Sequence, residues 1–379
     1  MNTLLLAITA AALVVLVALM LRPVQQEDEE KQREDERISP LLRGINFLLS
    51  DEPDRALQEM VQVAKLRSEA ADVYMALGEM FLSKGEIGRA VRIHQNLLAR
   101  PDLPKSMYLQ VHLALAKDFQ TGGLLDRALR QYKQALNIQP DHVGALEASL
   151  RIREQSSEWL KAEELLTRLE QVQQASYGTQ RAYLFSEMAT GCNRKKDDKK
   201  AKQYAEKALQ LDPGCAPARI VEIEHALAKG EFDDAVNSIR TFRDLSREHF
   251  PLLLPIIVEH SGFYKKHGKA LLLELWKSSP DSELALAWLE ALVGTDGREK
   301  ARAFCLELEY QPESLRSSLR LMALLGDEDD AHSQFARAWK QKAKNYACDS
   351  CGVEVVEMRW QCPQCHAWGS MHPKREENI

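Results

Sequence analysis

The 379-residue chain lacks the short motifs that mark common hydrolases. It has no H-E-x-x-H pair of zinc-binding histidines and no G-x-S-x-G nucleophile turn. Its nearest approach to a phosphate loop, Gly262 to Ala270, has five residues between the glycines instead of four. Ala270 also stands where Ser or Thr would hold magnesium. The acidic turn from Asp327 to Asp330 lacks calcium-loop spacing. Net positive charge is missing as well. At −6 the chain carries no global field that favours nucleic acid. Lys342, Lys344, Arg359, Lys374 and Arg375 sit among acidic neighbours, so no nucleic-acid partner is expected. Cysteine is scarce and odd in number, seven in all, which argues for a reducing compartment and against a disulfide framework. Three of these, Cys192, Cys215 and Cys305, are scattered through helical patterns and read as buried, inert thiols.

One long apolar run is present. Leu4 to Leu21 is eighteen residues without a charge. At 1.5 Å per residue such a helix spans about 27 Å, enough for a thin bilayer core. A cleaved signal peptide would need a basic start and a small-residue cleavage site. Met1-Asn2-Thr3 has no basic side chain, and the run closes on Ala-Leu-Met-Leu-Arg-Pro. Residues 1–22 are therefore expected to be a retained transmembrane anchor. Arg22, Lys31, Arg33 and Arg37 follow the run and no basic residue precedes it, which puts the bulk of the chain on the cytoplasmic side. Residues 23–39 form a charged linker, a solvated stalk by composition.

The middle of the chain is rich in Ala, Leu and charge and poor in β-branched runs, so it reads as helical. Alanines that would open the second helix of a helix pair recur at 56, 90, 128, 162, 201, 235 and, more weakly, 270. Their spacings are 34, 38, 34, 39, 34 and 35, close to the 34-residue tetratricopeptide period. Gly78, Gly85, Gly123 and Gly230 are the small residues of the pattern, Phe47, Phe81, Phe119 and Tyr132 the large ones, and Pro140 and Pro213 close second helices. The fourth repeat is poorer, with Arg153 in place of a large apolar residue. Residues 40–277 are read as tetratricopeptide repeats, and 278–344 as degenerate or capping helices over 281–294, 298–309, 313–325 and 328–344. Stacked pairs form a superhelix whose first helices line a concave binding groove with no chemistry of its own.

Residues 345–379 carry the strongest chemical signal. Cys348/Cys351 and Cys362/Cys365 are two Cys-x-x-Cys pairs separated by ten residues. Each pair can wrap a turn around one ion, and two such knuckles complete a tetrahedral S₄ site for zinc or iron. Gly352 suits the positive φ of such a turn, and Pro363 pre-sets the second. Val353 to Trp360 favours strand, so a small hairpin is expected there. His366 adjoins Cys365, but four thiolates already close the shell and leave no open position for hydrolysis. A redox dithiol is the rival reading.

Three phrases carry a family resemblance: Gly44-Ile-Asn-Phe-Leu-Leu-Ser50, Gly85-Glu-Ile-Gly-Arg-Ala-Val-Arg-Ile-His-Gln95 and Trp360-Gln-Cys-Pro-Gln-Cys-His-Ala-Trp368. With the anchor, repeats and knuckles in this order, the chain resembles the lipopolysaccharide assembly protein B family (LapB, also called YciM). The resemblance implies an all-α tetratricopeptide-repeat superhelix with an N-terminal transmembrane helix and a small C-terminal rubredoxin-like metal-binding domain packed against it. It implies a non-enzymatic adaptor at the cell inner membrane that regulates lipopolysaccharide biosynthesis by promoting degradation of the LpxC deacetylase by the FtsH protease. Alternatives are a scaffold that gathers lipopolysaccharide enzymes and a rubredoxin-type electron-transfer module. The metal ligands carry over as Cys348, Cys351, Cys362 and Cys365, with one bound iron by resemblance, or zinc. A homo-oligomer is left open.

Overall fold

In the computed structural model of the chain, the described residues are 43–44, 46–47, 50, 52, 55–56, 58–59 and 70–374. The expected anchor (1–22) and linker (23–39) lie outside them. Among the described residues no helix is long and apolar enough to cross a membrane. The chain divides into two compact units, with the break between Ala145 and Leu146.

In the first unit, α1 (Ala70–Ser83) pairs with α2 (Ile87–Leu98), and α3 (Tyr108–Thr121) with α4 (Leu125–Ile138). Tyr74, Leu77, Phe81, Ile93, Leu97 and Val111 form a buried cluster around Ala90. The small residues act as expected. A Cβ added at Gly78 would overlap the His94 ring. That close approach seats His94, fully buried, with Nδ1 2.6 Å from Oδ2 of the equally buried Asp118 on α3.

The second unit continues with α5 (Val143–Gln155), α6 (Trp159–Gln173), α7 (Gly178–Arg194), α8 (Asp198–Leu211), α9 (Ala216–Lys229) and α10 (Phe232–Leu245). A 3₁₀ segment, Arg247–Leu253, then leads to α11 (Leu254–Glu259) and, through a π-helical turn at Tyr264–Gly268, to α12 (Lys269–Ser278). Four more helices follow: α13 (Ser282–Asp296), α14 (Arg298–Glu307), α15 (Leu315–Leu325) and α16 (Ala331–Lys342). They match the four expected capping segments to within a few residues. Phe242, Phe250, Phe263 and Trp288 fill the core of this region.

Ala56, Ala90, Ala128, Ala162, Ala201 and Ala235 are all buried, as the repeat phase requires. Ala270 is not; it is exposed, and Leu271 and Leu272 face inward instead. The π turn explains the difference. An i→i+5 turn adds a residue and rotates the following helix out of phase. Gly268 takes the close-packed place, where an added Cβ would lie 3.2 Å from both Ile257 and Tyr264.

The turns explain why a 34-residue period closes so cleanly. Five backbone bonds recur: Glu86 N to Phe81 O, Leu124 N to Phe119 O, Glu158 N to Arg153 O, Asp197 N to Cys192 O and Glu231 N to Ala226 O. Each is the long bond of a helix stop that needs one left-handed residue. That residue is Gly85, Gly123 and Gly230 in three turns, with φ of 77°, 71° and 73°. In the other two it is Ser157 (φ 55°) and Lys196 (φ 59°), where a side chain costs about 1 kcal/mol. Arg153, the misfit of the fourth repeat, pairs with Glu158 across its own turn.

Lys196→Gly is therefore expected to raise stability by up to about 1 kcal/mol, and Gly85→Ala to lower it by a similar amount. Denaturant unfolding of the two variants checks this; equal midpoints would remove the strain argument.

Candidate metal centre

The two knuckles fold alike. Cys348 N donates to Val353 O and Gly352 N to Cys348 O; Cys362 N donates to Ala367 O and His366 N to Cys362 O. The residue after each second cysteine is left-handed, Gly352 at φ 74° and His366 at φ 61°. His366 thus serves the second turn as Gly352 serves the first, and it is not part of the sulfur cluster. The expected hairpin over Val353–Trp360 is mostly absent. Only Glu354–Val355 (β2) is strand, pairing back onto Tyr346–Cys348 (β1). A third strand, Met371–Pro373 (β3), pairs with the other edge of β1, all antiparallel. Pairing resumes only at the second knuckle, where Gly369 N donates to Trp360 O and an isolated bridge joins Gln361 and Trp368.

The sulfurs of Cys348, Cys351, Cys362 and Cys365 all lie within 4.8 Å of one another. Cys348 Sγ is 3.7 Å from Cys365 Sγ, and Cys351 Sγ is 3.6 Å from Cys362 Sγ. Tetrahedral zinc with bonds of about 2.3 Å has sulfur edges of about 3.8 Å, so the set fits one such ion. Backbone amides of Gln364 and Cys365 approach Cys362 Sγ at 3.4 and 3.5 Å. Ser370 Oγ lies 3.2 Å from Cys348 Sγ. Burial opposes ionisation of Cys348, yet hydrogen bonds from Ser370 and the backbone at Cys351 and Ser350 bring its pKa down to about 6. At Cys365 the Ala367 amide favours thiolate, but burial and the three neighbouring sulfurs push the value up to about 12. A divalent cation held among the four sulfurs would favour their thiolate forms.

The metal domain is held to the helices by residues that the sequence pattern did not single out. Glu154 of α5 is 4% exposed. Its Oε1 accepts from Trp368 Nε1 at 3.1 Å and Gln180 Nε2 at 2.8 Å, and its Oε2 accepts from Gln361 Nε2 at 3.0 Å. Tyr183 of α7 stacks on Trp368 with centroids 5.7 Å apart and lies tilted to Trp360 at 6.5 Å. Trp159 meets Trp368 edge-on at 6.2 Å. Gly369 (φ 63°) has no room for a Cβ against Tyr183. His249, in the 3₁₀ segment, packs 5.2 Å from Trp360 and donates from Nε2 to Met371 O at 3.0 Å. Burial is the main cause that holds its pKa below the ordinary value. The first helices α5 and α7 were expected to line an open groove; Glu154 and Tyr183 are instead covered by the chain's own C-terminal domain. The signal available in the sequence was a pair of tryptophans, 360 and 368, flanking the second knuckle.

The remaining thiols are mixed. Cys215 is buried, and desolvation pushes it up to about 12. Cys192 and Cys305 are only half-buried, which corrects the expectation for these two.

Tetratricopeptide-type helix pairs carrying a docked S₄ knuckle domain define a scaffold class with a metal-binding appendage. A family described as rubredoxin metal binding domain matches residues 346–373, and one described as tetratricopeptide repeat matches 192–215. Lipopolysaccharide assembly protein B of Escherichia coli K12 is 28% identical over 362 residues, covering 91% of this chain and 92% of that relative. The protein of the same name from Haemophilus influenzae is 25% identical over 367 residues, with 90% and 92% covered. The resemblance to that family is borne out over nearly the whole chain. A solved Pseudomonas aeruginosa structure, PilF, aligns at 20% identity and a TM-score of 0.32, covering 60% of this chain and 98% of that one. That score is too low for a shared overall shape to follow.

Two outcomes test the centre and its dock. Cys362→Ser should abolish stoichiometric metal binding and shift Trp360 and Trp368 emission to the red, while the far-ultraviolet helix signal stays within about 10% of its original size. Retained metal by elemental analysis would contradict the site. Glu154→Ala strands three half-buried donors and should cost about 1–3 kcal/mol of docking, read as faster amide exchange in β1 and β3 with metal still bound.

Proposed function

We propose that this protein is a membrane-tethered, non-catalytic adaptor that regulates lipopolysaccharide biosynthesis. In this reading residues 1–22 hold it in the inner membrane with its bulk on the cytoplasmic side. Cys348, Cys351, Cys362 and Cys365 would hold one iron or zinc ion. The ion's contribution is structural: it neutralises the thiolates and fixes the two knuckles, and no reaction step is assigned to it. The observation that carries the reading is the match to lipopolysaccharide assembly protein B along more than nine-tenths of each chain, knuckles included.

The chain's residues then act by presentation. Helix pairs offer side chains on a stiff frame, and the metal domain, clamped at Glu154 and Tyr183, adds a second face beside them. Tethering to the membrane would raise the local concentration of a protease and a substrate that both work there, without any new contact. The finer reading is that the protease is FtsH and the substrate LpxC. A closed sulfur shell supports a role outside catalysis, since hydrolysis at a metal needs an open position.

The test is the half-life of LpxC in cells with and without this protein. Loss of the protein should lengthen it severalfold. An unchanged half-life would remove the adaptor role. Affinity capture of the full chain that brings down several lipopolysaccharide enzymes without FtsH would favour the broader scaffold.

A further inference from the structure

An apolar cavity of about 460 Å³ opens between α6, α7 and α8, away from the sulfur site. Its walls include Trp159, Leu160, Met188, Cys192 and Tyr204, and Lys195 lies on its lining. The size falls within the usual range for small-molecule sites, about 300–1,000 Å³. Leu160 is 63% exposed, a large apolar side chain with its face to solvent. Trp159 also meets Trp368 of the metal domain edge-on at 6.2 Å.

The lining carries charges of both signs, Lys161 and Lys195 against Glu158 and Glu187, and a lysine-rich turn adjoins it at Lys195. From residue 194 to 202 the chain reads Arg-Lys-Lys-Asp-Asp-Lys-Lys-Ala-Lys, six cations against two carboxylates. All six cations are exposed. Lys200 pairs with Asp197 at 3.0 Å and Lys202 with Glu206 at 3.8 Å. Arg194, Lys195, Lys196 and Lys199 have no ion-pair partner among the described residues. Of the two acids on the lining, Glu158 is engaged by Arg153 and by Lys161 at 2.8 Å. Glu187 is the other; burial raises its pKa, and the charge of nearby Arg194 opposes that rise.

We propose that this cavity binds one anionic phospholipid from a membrane surface, an acyl chain lying against Trp159, Leu160, Met188 and Tyr204 and the phosphate beside Lys195. One apolar space with Lys195 on its lining, at the start of an exposed lysine-rich turn, matches a molecule with an aliphatic body and a single charged end. An acidic peptide fits less well, because its backbone amides would face apolar walls without partners. This proposal goes beyond the adaptor reading and does not depend on it.

The test uses the full chain in phosphatidylcholine nanodiscs, titrated with dihexanoyl phosphatidylglycerol below its micelle concentration. Tryptophan emission should change saturably, and the Trp159→Phe variant should lose that change. Dihexanoyl phosphatidylcholine should bind at least about tenfold more weakly, and added salt should weaken the glycerol lipid. Lys195→Glu and Leu160→Asp, both at exposed positions, should each weaken binding by about fivefold or more with unchanged circular dichroism. Equal affinity for the two lipids, or no loss in both variants, would overturn the proposal. So would saturation by inorganic phosphate alone, or tighter binding of a short acidic peptide.

Discussion

The docking of the metal domain onto the helices turns on one buried carboxylate. Glu154 leaves water at a cost that only its three donors offset, and two of them, Trp368 and Gln361, belong to the metal domain. Those two lie on either side of the second knuckle, so their positions follow from how Cys362 and Cys365 are turned. The aromatic stack on Tyr183 adds apolar area at the same place, and Gly369 lets the backbone approach the ring. Sulfur geometry, knuckle conformation and docking are thus one coupled system. An ion held by the four sulfurs would act on the helices only through the shape it gives to this short segment.

The same backbone device recurs at both ends of that coupling. Five of the helix pairs close on a left-handed residue, and so does each knuckle. Glycine fills most of these places at little steric cost. Ser157, Lys196 and His366 fill the others. Two of those residues make further contacts: Ser157 lines the apolar cavity, and the backbone carbonyl of His366 accepts from Gln361 Nε2 at 3.2 Å, the same amide that reaches Glu154. Strain at these positions persists because the surrounding hydrogen bonds over-determine the turn.

Much of the helical frame was legible in the chain. Alanine spacing located six buried seam positions, because close packing of antiparallel helices tolerates little else there. It failed at Ala270, where a π turn shifted the face without changing composition. Cysteine spacing marked the four sulfurs that come together, since a tight turn places the first and fourth residues of such a pair on one side. The strands were half-seen: the pairing of Met371–Pro373 with β1 joins residues more than twenty apart and leaves no local trace.

Sequence alone determined the repeat phase, the helix stops and the identity of the sulfur set, all of which arise from interactions between residues close along the chain. Tertiary structure alone decided that Glu154, Tyr183 and His249 receive the metal domain, and that Trp159 and Leu160 border a cavity beside a lysine-rich turn. Contacts across more than a hundred residues carry no period, and burial of a polar or aromatic group is set by whatever arrives opposite it.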